Sequence, residues 1–369
     1  MLSSSDLLTL VLPIKGRTEF TFRVMEHLDR SRFPFKIIIA DGGDDEAVSS
    51  ALSLAGNFPN VDYRYVKYPF DESYSHYYRK MVSALLEVRT PYAFLIDNDC
   101  FPVIEGLHES VAFLESHPGY STCRGQHIDF HLNSFSNSVG ALLYGSSISI
   151  NPDYFDREDT IWSSFESDSP LERILEWSHC MNIMSYNVHR TRTLIEAWEF
   201  LAGNDCMDLI LCELATALNA LACGKSKVID IPFIMRQQNS PDSVSRDMIR
   251  KMDILDRMFV EKWTRDINQL INDIANKVSE VGTCVRSESA AQVKIALKNH
   301  YADRLYSYLA QRNMAKGSIN AGDVPSLQRL ASGCNVKDIV ISQPEEVHFS
   351  LRQIVSFLMK DQPKSSQVL

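Results

Sequence analysis

An α/β fold, with a mainly parallel sheet and helices on both of its faces, is what this sequence predicts. Three observations carry that expectation. Short apolar runs alternate with helix-spaced segments through the first half of the chain, the pattern of strands joined by crossover helices. Gly, Pro and Asp mark the junctions between them. Two of the apolar runs end in acids, at 41–45 and 97–99, and such sheets bind ligands beyond the carboxyl ends of their strands. Core packing alone does not require acids there.

Residues 7–14 are apolar and bounded by Lys15 and Gly16, which reads as a buried strand. Phe20, Val24 and Leu28 recur every fourth residue, so 19–30 is expected to be a helix. A second strand at 36–40 runs into Asp41-Gly42-Gly43-Asp44-Asp45, a turn-forming loop. A helix at 46–55, a strand at 61–66 and a helix at 73–89 follow, the last stopped by Thr90-Pro91. The strand at 92–96 ends in Asp97-Asn98-Asp99.

The middle of the chain is more mixed. Residues 126–132 alternate and place His127, Asp129 and His131 on one strand face. Zinc would want a fourth ligand nearby, so acceptor or sugar contacts are the better reading of a functional face there. A strand is expected at 181–189, a helix at 191–201 and a strongly amphipathic helix at 205–223. Residues 228–231 read as a strand, with Pro232 at its edge or end, and 236–245 as a polar loop. Beyond Arg246 the texture changes to long charged segments of helical period, 245–281 and 289–312, so a boundary is placed near residue 243. Residues 361–369 read as a disordered polar tail.

Composition narrows the class. With 369 residues, 45% hydrophobic and 23% charged, the chain has ordinary globular composition and needs no disulfide or metal staple. At roughly 150 residues per domain, about two domains are expected. Lys and Arg total 37 against 47 Asp and Glu, a net charge of -10. That balance argues against a nucleic-acid partner, whose binding rests on cationic contacts to phosphate, but it leaves room for a local cationic pocket. The first apolar run is broken by Thr9 and Pro13 and falls short of the ~20 residues a membrane helix needs. No cationic segment precedes it and no small-residue cleavage site follows. The eight cysteines (Cys100, Cys123, Cys180, Cys206, Cys212, Cys223, Cys284 and Cys334) form no C-x-x-C pair, so free thiols in a reducing cytoplasm are expected.

The strongest local chemical signal is Phe94-Leu95-Ile96-Asp97-Asn98-Asp99-Cys100. Two carboxylates flank one residue where a buried strand ends, and both can approach one hard cation, Mg²⁺ or Mn²⁺. A cation there could hold a diphosphate and neutralise it as it leaves. Alone, the motif reads more readily as a polar turn; the apolar strand before it and the acidic strand end at Asp41 favour the site.

Three motifs together resemble the GT-A glycosyltransferases, closest to the bacterial family-2-like group. Leu10-Val11-Leu12-Pro13-Ile14-Lys15-Gly16-Arg17 resembles their opening strand, with its V-x-x-P-x-x-N/G-R pattern. Ile37-Ile38-Ile39-Ala40-Asp41-Gly42-Gly43 resembles their second strand, and Leu95-Ile96-Asp97-Asn98-Asp99 their Asp-x-Asp metal motif. The spacings, about thirty and then about sixty residues, also match. The resemblance covers roughly residues 7–240. It implies a GT-A, Rossmann-like mixed sheet flanked by helices over 1–243 and a helical C-terminal region over 244–369.

The implied activity is metal-dependent transfer of a sugar from a nucleotide-diphosphate donor to a glycan or lipid-linked acceptor, with inversion. Pro13, Lys15 and Arg17 would line the nucleotide pocket, and Asp41 would accept a hydrogen bond from the base or ribose. In Tyr74-Ser75-His76-Tyr77-Tyr78-Arg79-Lys80, Arg79 or Lys80 would contact the diphosphate or base. Asp97 and Asp99 would hold Mn²⁺ or Mg²⁺. Arg236 would clamp the diphosphate, and Gln238 would replace a histidine ligand that the family often supplies.

The family keeps its catalytic base on a helix about eleven residues before a glycine. Glu213, eleven residues before Gly224, is the first choice, although Cys212 replaces the first acid of the usual Glu-Asp pair. Asp208 is the runner-up, about 140° around the helix at 3.6 residues per turn. A helix N-terminal acid stabilised by the dipole is the bland reading of either. Tyr186-Asn187-Val188-His189-Arg190 loosely resembles the acceptor-side segment.

The resemblance also implies polysaccharide assembly at a bacterial surface. It goes with a cytoplasmic enzyme, or one peripheral to the inner membrane, whose C-terminal helices offer a surface for homo-oligomers. Two other classes compete. A sugar nucleotidyltransferase would want Gly-x-Gly-Thr-Arg after the first strand, and Lys15-Gly16-Arg17-Thr18 lacks the repeated glycines. A non-catalytic carbohydrate or nucleotide binder on a decayed transferase fold would explain the altered acid pair.

Overall fold

The computed structural model describes residues 6–54, 56–130, 164–180, 183–237, 257, 260–281 and 287–298, with 346, 349, 350, 353, 354 and 357 near the C-terminus. Its sheet begins with four parallel strands: β1 (Leu8–Ile14), β2 (Lys36–Asp41), β3 (Tyr63–Lys67) and β4 (Tyr92–Leu95). They lie in the order β3-β2-β1-β4 and are joined through α1 (Thr18–Arg30), α2 (Glu46–Ser53) and α3 (Tyr74–Leu86). Parallel strands need such crossovers, which is why apolar runs and helical segments alternate in the sequence.

The chain then adds β5 (Cys100–Pro102), α4 (Ile104–Ser116), β6 (Tyr120–Phe130), α5 (Pro170–Cys180), β7 (Val188–Arg190), α6 (Thr191–Gly203), α7 (Leu209–Cys223) and β8 (Lys225–Gln237). β7 runs antiparallel to β4 and β6, β8 parallel to β6 and antiparallel to β5. The result is one mixed sheet of order β3-β2-β1-β4-β7-β6-β8-β5.

Both faces of the sheet are buried. Along β1, Leu8, Leu10, Leu12 and Ile14 enter the core that holds Val24 and Leu28 of α1 and Leu107 and Leu114 of α4. Val11 points the other way, into the core shared with α3, α6 and α7. That two-residue alternation lets one continuous apolar strand serve two cores. A further helix, α8 (Glu261–Val281), buries Trp263, Leu270, Ile271 and Ile274 in the second core, with Val293 and Leu297 from the helical segment 287–298. Near the C-terminus, Ile354 and Phe357 join the first. Among the described residues no helix is long and apolar enough to cross a membrane.

The mixed α/β architecture with its helical C-terminal region is as expected. Several local expectations are corrected. The strand expected at 181–189 is reduced to Val188–Arg190, and 183–187 form the turn before it. Pro232 lies inside β8 rather than at its end, tolerated because the β6–β8 register is irregular opposite it, at Arg124, Gln126 and His127. Arg236 and Gln237 belong to β8, not to a loop. The amphipathic helix starts at Leu209, with Asp208 as its N-cap. The boundary near residue 243, the tail at 361–369, and Gln238 lie outside the described residues.

Candidate active site

β1 leaves the sheet through Gly16 and Arg17, both in the left-handed backbone region with φ 60° and 53°. Glycine adopts that region freely, but an arginine there is held by its surroundings. Arg17 is also the N-cap residue of α1, so the turn aims its side chain across the carboxyl ends of the strands. β4 ends beside it, where Asn98 Nδ2 donates to Thr21 Oγ1 of α1 at 3.1 Å and ties the Asp97–Asp99 turn down.

A cleft of about 600 Å³ opens at this edge. The strand ends supply Pro13, Lys15, Arg17, Asp97, Asn98, Asp99 and Arg236. A second wall comes from the loop before α3 and from α3 itself, with Asp71, Glu72, Tyr74, Tyr77 and Lys80. The third comes from the loop between α6 and α7, with Asp205, Cys206 and Met207, then Leu209 of α7 and Lys262 of α8.

The charges are ordered along it. Asp97 Oδ2 accepts the Tyr186 hydroxyl at 2.5 Å. Asp99 Oδ2 accepts Arg17 Nη2 at 2.9 Å, and its Oδ1 accepts the Cys100 thiol at 3.6 Å. Burial, and then the like charge of Asp99, raise the Asp97 pKa, against the pull of Arg236, Tyr186 and Arg17. Arg236 lies with its guanidinium 4.9 Å from the Tyr186 ring centre. Burial alone would lower its pKa, but Tyr186, Cys100, Asp97 and Asp99 outweigh that and hold it above the ordinary arginine value.

At the other end, Lys80 forms a buried ion pair with Asp71 and donates to Ile14 O at 3.4 Å. Burial lowers the Lys80 pKa although Asp71 opposes the shift. Lys15 donates to the Asp71 carbonyl and packs its ammonium 4.5 Å from the Phe70 ring. A Cβ at Gly42 would collide with the Asp71 carboxylate.

Among the described residues, three buried polar atoms of the side chains around the cleft have no hydrogen-bond partner: Asp71 Oδ1, Arg17 Nε and Arg236 Nε. Buried polar groups are ordinarily satisfied. The unmatched acceptor sits at the Lys80 end and the unmatched donors sit at the Asp97–Asp99 end.

Of the residues named from sequence, Pro13, Lys15, Arg17, Lys80, Asp97, Asp99 and Arg236 meet in this cleft. Asp41, Arg79, Asp208 and Glu213 do not line it. Asp41 is buried and already accepts from Tyr65 at 2.5 Å, Lys67 at 2.9 Å and Gly43 N at 2.7 Å. Arg79 is exposed, its closest acid being Asp205 at 3.9 Å. Asp208 caps α7, accepting from Ile210 N at 3.0 Å and Leu211 N at 3.3 Å, and pairs with Arg257 at 2.6 Å. Glu213 is half-buried on α7 outside the cleft wall. His127 is buried, its ring parallel to that of Phe233, while the side chains of Asp129 and His131 lie outside the described residues.

Asp71, Asp205 and Lys262 line the cleft without belonging to any of the three motifs, and Tyr186 lies in the segment of loose resemblance. Their signals in the chain are the Asp71-Glu72-Ser73 run before a helix and the Gly203-Asn204-Asp205 turn.

Among the described residues no group of three or more His, Cys, Asp or Glu side chains could hold a metal ion. Asp97 and Asp99 nevertheless suit a hard cation. Mg²⁺ commonly takes one or two carboxylates and fills its shell with water and substrate phosphate. Burial, and then the like charge of Asp99, raise the Asp97 pKa, and a cation between the two acids would offset both.

No family model and no curated protein matches the chain. Solved structures do. The S. aureus TarS fragment 1–349 in complex with UDP-GlcNAc superposes with a TM-score of 0.50 at 12% identity, over 96% of this chain and 89% of that one. The same fragment without the complex gives 0.48 at 11% identity, with the same coverage. The likeness is one of fold.

Proposed function

We propose that this chain is a GT-A-type glycosyltransferase that moves a sugar from a nucleotide-diphosphate donor to an acceptor hydroxyl with inversion. The charged side chains that line the cleft carry the reading. The Asp71 carboxylate suits a base N–H, and the Lys15, Arg17 and Arg236 cations suit diphosphate oxygens. The fold shared with a structure that holds UDP-GlcNAc, a nucleotide sugar, supports it.

The chain's own residues divide the work. Lys80 pairs with the Asp71 carboxylate and holds it in place for the base. Lys15, Arg17 and Arg236 bind and orient the diphosphate. Arg17 and Arg236 are formally balanced by Asp97 and Asp99, which leaves Lys15 as the excess cation of the strand-end wall, and a bound diphosphate calls for further positive charge. Asp97 and Asp99 would hold Mn²⁺ or Mg²⁺, which supplies that charge and stabilises the leaving diphosphate.

Release of nucleotide from UDP-GlcNAc, UDP-glucose and GDP-mannose, with and without Mn²⁺, tests the reading on the wild type and on Asp99→Ala. Metal-dependent turnover lost in the variant is the expected result. Metal-dependent binding without turnover would make the chain a non-catalytic binder, and neither binding nor turnover would overturn the proposal.

A further inference from the structure

We infer that Asp205 is the carboxylate that takes the acceptor proton, and that Lys262 and Asp266 of α8 position it. The inference rests on the transferase reading and names the group which that reading leaves open. Other carboxylates of the cleft are committed elsewhere. Asp71 is locked to Lys80, Asp97 to Tyr186 and Asp99 to Arg17. Glu72 adjoins Asp71 on the loop before α3, at the base-binding end.

Asp205 differs in three respects. It lines the cleft from the loop between α6 and α7, a wall to which the strand ends do not contribute. Its side chain is 58% exposed, and among the described residues it pairs with the exposed Arg79 at 3.9 Å, a weak restraint. Its backbone has φ 51°, a conformation that costs a non-glycine residue energy and persists where surrounding contacts over-determine it.

α8 supplies those contacts. Lys262 Nζ donates to Asp205 O at 2.5 Å. Asp266, one turn further on, accepts Met207 N at 3.2 Å and pairs with Lys262 at 3.3 Å. Just ahead of the helix, Arg257 pairs with Asp208 at 2.6 Å, while Tyr78 of α3 donates to Asp208 O at 2.5 Å. Residues 205, 207 and 208 are thus each held. The Asp205 carboxylate stays exposed in the cleft while its backbone is fixed, which is the arrangement a general base needs.

The step balances. The acceptor O–H gives its proton to an Asp205 carboxylate oxygen as the acceptor oxygen forms a bond to the anomeric carbon. The bond from that carbon to the diphosphate oxygen breaks, and its electron pair leaves with the diphosphate. Water then takes the proton from Asp205.

Hydrolysis of a donor that the wild type turns over, read as nucleotide release, tests this. Asn adopts the left-handed backbone region readily, so Asp205→Asn should keep the fold and the UDP affinity while kcat falls at least ~100-fold. In Asp205→Ala, added formate should restore part of the rate, a response that a structural role would not give. Lys262→Met should lower kcat about 10-fold with the UDP Kd within about twofold, and Lys262→Arg should recover it. Wild-type kcat in Asp205→Asn, or no formate rescue together with loss of turnover in Glu213→Gln, would overturn the assignment and leave the transferase reading standing. A wild type that turns over no donor overturns both.

Discussion

Tyr186 and Asp97 meet hydroxyl to carboxylate at 2.5 Å, linking the turn before β7 to the acid at the end of β4. The contact lies behind the cleft wall to which Asp97 belongs, where burial and Asp99 already work against the ionised form of Asp97. Tyr186 is the neutral donor that helps keep that acid charged.

Tyr186→Phe should therefore cost about 1–3 kcal/mol of stability, since it leaves a buried carboxylate oxygen without its donor. If Asp97 holds a cation, the affinity for Mn²⁺ with UDP should also fall about 10-fold. Urea denaturation and calorimetric titration measure the two effects separately.

The Lys80–Asp71 pair is almost completely buried, with side-chain exposures of 2% and 4%. Removing one partner leaves a charge without its counter-ion, so Lys80→Met should destabilise by about 3–5 kcal/mol. Replacing both, as Lys80→Met with Asp71→Leu, should recover much of that loss and still abolish nucleotide binding. Chemical denaturation beside a UDP thermal shift separates the structural role from the binding role.

Gly42→Ala should weaken nucleotide binding without touching any ligand directly. The new Cβ would occupy the space of the Asp71 carboxylate and push it off the cleft wall. Overpacking of this kind costs about 1–3 kcal/mol. An unchanged UDP affinity in a folded Gly42→Ala protein would show that Asp71 does not read the base.

Acid should unfold the protein partly through two histidines. Burial lowers His27, helped by Arg30, and likewise His189, each from 6.5 to about 4. The unfolded chain then binds more protons than the native one between those values. Stability is fully present above pH 6.5 and is lost as pH falls toward 4, by about 3 kcal/mol per ring at the acid limit. His27 lies 5.4 Å from both the Phe101 and Phe357 rings, so His27→Leu should flatten the acid limb of a stability–pH curve and leave neutral stability near the wild type.

Much of the fold was legible in the chain because its information is local. Residues 7–14, 36–40 and 92–96 are continuous apolar runs, and β1, β2 and β4 fall there within a residue or two. The acids after β4 and the cations after β1 were legible for the same reason: a residue that follows a strand end is carried to the edge of the sheet whatever else the chain does. β5 was not, because three residues carry no period, and its pairing with β8 joins Cys100 to Arg236 across the fold.

The choice among chemically similar side chains was made by contacts between distant segments. Asp41 and Asp71 are both acids near strand ends. The β2–β3 register sets Lys67 beside Asp41 and withdraws it from the cleft, while Lys80 of α3 holds Asp71 at the cleft wall. In the same way a count of eleven residues before a glycine points to Glu213, but the exposed carboxylate of the third wall is Asp205, whose backbone carbonyl accepts from Lys262, 57 residues away. Hydrophobic pattern and turn chemistry are written along the chain and dictate which elements form. Which acid remains available for chemistry depends on where its neutralising partner arrives, and ion pairs between remote segments exist only once the sheet has closed.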